Sequence, residues 1–405
     1  MNGEEAVPPF LPYGRQKLDD DDIAAVVEVL RGDWLTTGPA VGRFEQAWAE
    51  RVGASHALAC NSGTAGLHLA VLALGLGPGD RAVVPSITFL ATANAVRLAG
   101  AEVVFADVDP DSGLMTPATL QAALARADGP VKAVLPVHLR GASVDMAALA
   151  AAALGLPIIE DAAHALGTTW QDGNVRHQVG DGAYSRMTVF STHPVKTITT
   201  GEGGVVTTND PALLDRLRRF RSHGMDHDST HWTDRSLGFE AGEVAPWAYQ
   251  MAELGLNYRL PDFACALGFS QLSKLDSFLT RRREIVARYD GLFAPLAPLL
   301  QIPRCPEGNE PGWHLYSPLI DFEQLGKSRS RVMRELRHAG VGSQVHYIPV
   351  HRQPYYQARY GGLDLPGADT YYRRTLSLPL FPAMTDSDVE RVAAAVTAVL
   401  ESARS

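Results

Sequence analysis

Between residues 54 and 160, short apolar runs alternate with helical stretches of ten or more residues, and no other feature restricts the fold so tightly. The runs fall at 57–60, 82–85, 102–106, 133–137 and 157–160. Strands spaced by helices cannot pair as hairpins; they read as βαβ units in a mostly parallel, buried sheet. Further strands at 183–190 and 204–208 complete that sheet. Residues 19–30 read as an amphipathic helix, with an Asp cluster at its N-terminus that suits the helix dipole.

Beyond the sheet the rhythm changes. Residues 263–290 form one long helical tract, read as a connector. A strand at 314–320, a helix at 328–339, a strand at 342–346 and a final helix at 386–403 then suggest a smaller α+β unit. The expected division is a large α/β domain over 1–270 and a small C-terminal domain over 271–405. Active sites tend to form between such domains.

The net charge of −9 argues against nucleic acid or an anionic membrane as the main partner, and leaves an anionic small molecule open. Three widely spaced cysteines, Cys60, Cys265 and Cys305, exclude a disulfide framework and a Cys-type zinc site. They fit a reducing compartment. No secretory signal opens the chain, and no apolar run approaches the ~20 residues of a bilayer span. The expected location is cytoplasmic.

Three segments carry chemistry. In the stretch from Phe190 to Gly204, Lys196 stands between the end of a buried strand and a Gly-rich turn. A lysine at such an edge can be desolvated, which lowers its pKa and frees a neutral amine to attack carbonyls. Asn61-Ser62-Gly63-Thr64 follows a strand and opens an apolar helix, a ready anion site with a glycine that admits a phosphate. In Glu160-Asp161-Ala162-Ala163-His164, two carboxylates sit at a strand's C-terminal edge, and alternation sends them to opposite sides. Each has a plainer explanation alone: a surface lysine, a capped turn, a helix N-cap by Asp161.

Together they supply a phosphate cradle, an acid for a ring nitrogen, a histidine beside it and an imine-forming lysine, the set that pyridoxal 5′-phosphate (PLP) requires. Gly75, Gly77 and Gly79 follow a helix, and Pro78 lacks an N–H, so they are not a nucleotide fingerprint. His223, His227 and His231 have the spacing of metal ligands on a helix, but Gly224, Asp228, Ser229 and Thr230 disfavour a helix there. No metal is expected.

The chain resembles the DegT/StrS family of PLP-dependent sugar aminotransferases over roughly 11–400. The resemblance is carried by Asp33-Trp34-Leu35-Thr36-Thr37-Gly38-Pro39, Met187-Thr188-Val189-Phe190-Ser191, His193-Pro194-Val195-Lys196, Arg221-Ser222-His223-Gly224-Met225 and Asn257-Tyr258-Arg259-Leu260. Gln344-Val345-His346-Tyr347-Ile348-Pro349-Val350-His351 and Ser377-Leu378-Pro379-Leu380-Phe381 extend it. It looks closest to the branch that aminates the C4 ketone of UDP-linked 4-keto-6-deoxy-N-acetylhexosamines on the route to pseudaminic acid.

The resemblance implies a PLP-dependent transferase of fold type I, aspartate aminotransferase-like, with L-glutamate as amino donor and a nucleotide sugar as acceptor. It implies that Lys196 carries the cofactor and moves the proton, that Asp161 pairs with the ring nitrogen, and that His164 bonds the 3′ oxygen. Gly63, Thr64 and Ser191 would bind the phosphate and Phe89 would stack on the ring. Asn257 would reach the cofactor of a second subunit, making the active unit a homodimer. Tyr13, Asp33, Trp34, Leu35, Thr36, Gln344, Val345, His346 and Tyr347 would contact the sugar nucleotide.

Two positions depart from the family pattern: Thr192, where an aromatic residue is usual, and Gly66, where a small or larger apolar residue is common. The stretch 226–247 is longer than a minimal connection and reads as a mobile loop near the cleft. Rival substrates are GDP-4-keto-6-deoxymannose and other UDP-4-keto sugars. Rival classes are a pyridoxamine-dependent sugar dehydratase, whose members lack the lysine, and a PLP-binding regulator without turnover.

Overall fold

A computed structural model of the chain describes residues 9–236 and 238–402. The first eight residues of the expected large domain, and 403 at the end of the expected last helix, lie outside these.

Seven strands build the main sheet: β1 (His56–Cys60), β2 (Arg81–Pro85), β3 (Glu102–Ala106), β4 (Val131–Val134), β5 (Ile159–Asp161), β6 (Met187–Ser191) and β7 (Gly204–Thr208). One hydrogen-bonded set runs β1-β7-β6-β5 and the other β4-β2-β3. Parallel bridges from Val134 to Ile158 and from Val137 to Asp161 join β4 to β5. Only β7 runs antiparallel to its neighbours. The others are parallel, which places their C-terminal ends along one edge, where open α/β sheets bind ligands. The mostly parallel sheet and the fold class are as expected. Gly66 has a packing reason: a Cβ there would lie 2.8 Å from Val189 and 3.3 Å from Val206, so the helix Gly63–Ala73 presses directly on the sheet.

Several boundaries differ from those read in the sequence. The expected strand 133–137 is paired as a strand at Val131–Val134, and 183–190 is a strand only from Met187. The tract 263–290 is two helices, Asp262–Ser273 and Leu275–Phe293, parted at Lys274, whose amine pairs with Asp22 at 3.0 Å and with Asp19. Of the expected strand 314–320, only Leu319–Ile320 is strand, paired with Leu300–Gln301. Residues 342–346 form no strand. Gly342 donates to Leu11, and Gln344 exchanges two hydrogen bonds with Ser377, so the segment divides its pairing between two partners. His223, His227 and His231 share no helix, and His231 instead pairs with Asp226 at 3.0 Å.

Two apolar cores hold the chain. The first surrounds the sheet, with Phe44, Trp48 and Phe190 packed ring against ring. The second gathers Tyr289, Phe293, Tyr316, Val389 and Val392. Leu11 joins the second core, while Val350, Tyr356 and Tyr371 join the first. The two halves are thereby tied across the cleft.

The helix Pro39–Val52 starts at Gly38, which has no side chain to cap it. Asp262, fully buried, caps it from a distance, accepting from the Gly38 amide at 2.8 Å and the Ala40 amide at 3.0 Å. Asp262→Ala leaves both donors without that acceptor and is expected to destabilise the protein by about 1–3 kcal/mol, read as a lowered midpoint in denaturant unfolding. A midpoint unchanged from the unaltered protein would refute this role.

Candidate active site

A cavity of about 600 Å3 lies along the C-terminal edge of the sheet. After β1 come Ser62, Gly63 and Thr64; after β2, Thr88 and Phe89; β5 ends in Asp161; β6 ends in Ser191. Residues 344–348 and Tyr13 complete the wall from segments outside the sheet. Among the residues expected at a site, Tyr13, Gly63, Thr64, Phe89, Asp161, His164, Ser191, Lys196, Gln344, Val345, His346 and Tyr347 all line this cavity.

Asp33, Trp34, Leu35, Thr36 and Asn257 do not line it. All five are exposed at the surface. The Asp262 amide donates to the Leu35 carbonyl at 3.0 Å, only a few residues after Asn257. The Asn61 amide donates to the Tyr258 carbonyl at 2.9 Å, which ties the Asn257 turn to the start of the cavity wall.

The phosphate-sized end is built by close approach. Ser62 caps the helix Gly63–Ala73 by accepting from the Ala65 amide at 3.0 Å. A Cβ at position 63 would lie 2.9 Å from the Ser191 Cβ, so only glycine lets Ser191 sit against this helix start. The capped turn and the anion cradle are therefore the same structure.

The two carboxylates of β5 separate as their alternation requires. Glu160 turns away from the cavity and accepts from His138 at 2.7 Å, from Thr188 at 2.9 Å and from Ser185. Burial alone would raise its carboxyl, but these hydrogen bonds overcome that and hold it below the usual range. Asp161 faces the cavity, accepting from Thr92 Oγ1 at 2.6 Å and from the Ala163 amide at 3.1 Å. It caps a turn, not a helix. Burial raises its pKa, with the Thr92 hydrogen bond opposing. Thr92 was not visible as a site residue in the sequence: nothing distinguishes it from any other threonine in a helix's first turn.

Lys196 sits midway in a loop closed by hydrogen bonds. The Thr200 amide donates to the Thr192 carbonyl at 3.0 Å, and the Thr192 amide donates to Gly203 at 2.9 Å. The Thr200 hydroxyl donates to the Glu202 carbonyl at 2.8 Å, so the Thr192 hydroxyl is the donor in its 2.6 Å bond to Thr200. Thr192 thus helps to close the loop by hydrogen bonding.

Among the described residues the Lys196 amine has no hydrogen-bond partner. Burial lowers its pKa to about 8, against the attraction of Asp161. His164 is held well below its ordinary value by burial and by Lys196, and His346 is lowered to about 3 for the same reasons. The site therefore presents neutral imidazoles beside a lysine that is easily deprotonated. Both nitrogens of His164 have protein partners: the Arg140 amide donates to Nδ1 at 3.4 Å, and Nε2 lies 3.0 Å from the Tyr347 hydroxyl.

The family model for DegT/DnrJ/EryC1/StrS aminotransferases matches residues 16–397. The chain belongs to that family. Its members use PLP, and this protein is a PLP-dependent aminotransferase. The spore coat polysaccharide biosynthesis protein SpsC of Bacillus subtilis (strain 168) is 40% identical over 399 residues, 97% of this chain and 98% of its own. Helicobacter pylori PseC, an aminotransferase involved in the biosynthesis of pseudoaminic acid, superimposes with a TM-score of 0.85 at 29% identity. It covers 97% of this chain and 100% of PseC. Spr1654 from Streptococcus pneumoniae, in its PLP form, gives 0.84 at 26% identity over 97% and 99% of the two chains.

The cavity fits this cofactor on its own geometry. A glycine-opened helix start stands at one part of its wall, a buried carboxylate at another, and an amine free of protein partners faces the space between. Among the described residues no helix is long and apolar enough to cross a membrane.

Proposed function

We propose that this aminotransferase moves the amino group of L-glutamate to the C4 ketone of a nucleotide-linked 4-keto-6-deoxy sugar, foremost UDP-2-acetamido-2,6-dideoxy-β-L-arabino-hex-4-ulose. The observation that carries the reading is the unpartnered Lys196 amine beside Asp161, in a cavity whose largely apolar wall also carries the polar groups of Tyr13, Gln344, His346 and Tyr347. That wall suits a sugar with its hydroxyls. The likeness to PseC supports the pseudaminic-type acceptor. The 40% identity to SpsC favours a second reading, another nucleotide-linked 4-keto sugar bound for a different polysaccharide.

Bound in this cavity, PLP supplies an electron sink for the carbon that gains or loses the amine. Lys196 would hold the cofactor and, once released from it, would accept and return the proton moved at that carbon, burial favouring its neutral amine. Asp161, fixed by Thr92 and Ala163, keeps the ring nitrogen protonated. Gly63, Thr64 and Ser191 hold the phosphate, and Phe89, half exposed to the cavity, covers the ring.

Asp33 to Thr36 and Asn257 belong to the same site in a homodimer, where they complete the partner's cavity. Trp34 is 59% exposed and Leu35 49%, large apolar surfaces that a second copy would bury. We place the domain division at 270/271 and the enzyme in the cytoplasm, where nucleotide sugars are made.

The assay incubates the protein, PLP and L-glutamate with the two C5-epimeric UDP-4-keto-6-deoxy-N-acetylhexosamines and with GDP-4-keto-6-deoxymannose. Selective amination of the L-arabino UDP sugar, identified by mass and NMR, is the expected result. Preference for either other sugar would overturn the acceptor and keep the chemistry.

A further inference from the structure

Given that Asp161 meets the ring nitrogen of the cofactor as proposed above, we propose that Thr88 is a further positioning residue of the reaction, acting through Thr92. The two hydroxyls form a one-way relay, Thr88 to Thr92 to Asp161, that aims the carboxylate at the ring nitrogen and holds it charged.

Thr92 Oγ1 lies 2.6 Å from Asp161 Oδ2 and 2.7 Å from Thr88 Oγ1. A carboxylate can only accept, so Thr92 is the donor in the first contact. A hydroxyl has one proton, and that one is spent. Thr92 therefore accepts in the second contact, and Thr88 is its donor. The Phe89 carbonyl, 3.4 Å from Thr92 Oγ1, is too distant to compete with the carboxylate. Asp161 Oδ1 meanwhile accepts from the Ala163 amide at 3.1 Å. Each oxygen of Asp161 thus has one protein donor, which fixes the carboxylate and leaves lone pairs for a ring N–H.

Burial raises the Asp161 carboxyl, and the Thr92 hydrogen bond leads the opposing causes, ahead of the Ala163 amide, Lys196 and His138. A hydroxyl donates more strongly when its own oxygen accepts, because chained hydrogen bonds polarise one another. Thr88 supplies that polarisation. Thr88 is 1% exposed and Thr92 0%, so water does not compete for either bond. The same short segment supplies the ring's cover. Phe89 stands at the N-cap of the helix Leu90–Leu98, between the two threonines, and lines the cavity with Thr88. One helix start therefore sets both the cover of the ring and the partner of its nitrogen. Without the relay Asp161 is the stronger base, and the proton it shares with the ring nitrogen moves toward the carboxylate.

The test loads the purified protein with PLP carrying 15N in its ring and reads the nitrogen resonance. In the unaltered protein it should lie near that of a protonated pyridine. Thr92→Val removes the hydroxyl and keeps the branched shape, and should move the resonance toward the unprotonated value. Its half-reaction with L-glutamate should slow roughly ten- to a hundredfold, the worth of one hydrogen bond to a charged group. Thr88→Val should move the resonance the same way by less, and slow the half-reaction about two- to threefold. Thr92→Ser restores the donor and should return both readings to those of the unaltered protein. Thr88→Val added to Thr92→Val should change nothing further. A resonance that Thr88→Val leaves in place, or moves as far with Thr92→Val as without it, overturns the relay. So does an equal loss in Thr92→Ser and Thr92→Val, which would mark packing alone. A resonance left in place by Asp161→Asn would instead overturn the pairing of Asp161 with the ring nitrogen, whatever the threonines do.

Discussion

Lys196→Ala should abolish transamination, lowering turnover by roughly four orders of magnitude, the upper end of what one positioned acid–base group contributes. The variant should also lose the visible band of lysine-bound cofactor while keeping its fold, because the Lys196 side chain makes no hydrogen bond or ion pair among the described residues. The sign of the pH dependence follows from the same burial. The amine is lowered from the ordinary 10.5 to about 8, so its neutral, reactive share rises as pH passes through about 8. Capture of PLP by the cofactor-free protein should accelerate across that range and level off above it. A rate still climbing steeply toward pH 10 would mean that Lys196 is not desolvated, and an active Lys196→Ala enzyme would end the assignment.

Asp161→Asn should cost roughly 10²- to 10³-fold in the glutamate half-reaction, the range seen when one preorganised electrostatic group is removed. The amide keeps the shape of the carboxylate and one oxygen to accept from the Ala163 amide, while the Thr92 hydroxyl, which donates to the other carboxylate oxygen, must turn to accept from the new NH2. What it loses is the negative charge that holds a proton on the ring nitrogen. PLP should still bind through Lys196 and the helix start at Gly63, so cofactor content separates this outcome from misfolding. Retained rate in a fully loaded variant would show that the ring nitrogen needs no anionic partner here. Glu160→Gln would probe the contrast. Its carboxylate serves His138, Thr188 and Ser185 on the far side of β5, so its removal should lower stability before it lowers rate.

How far the site was legible depended on how local its causes are. The β5 carboxylates were assigned to opposite faces from strand alternation alone, and the structure places them so. The cradle at Ser62–Thr64 was legible because strand, small residues and helix start are consecutive in the chain. Thr92 and Arg140 were not: each acts on a residue far away in sequence, through a hydroxyl or a backbone amide that any residue pattern allows. Strand 342–346 failed for a related reason. Its hydrogen-bond partners, Leu11 and Ser377, come from two different segments.

The sequence by itself determined the parallel sheet, its buried strands and the identity of the lysine, acid and glycine that mark the site, because each rests on periodicity or on residues a few positions apart. Only the tertiary structure decided which of those residues share a cavity, and in what protonation state. It brought Tyr347 within 3.0 Å of His164 across 183 positions of chain, and it left Asn257 and the 33–36 stretch on the surface. It also desolvated Lys196. Burial and hydrogen-bond partnership are properties of packing, and burial in the folded chain is what lowers this lysine to about 8.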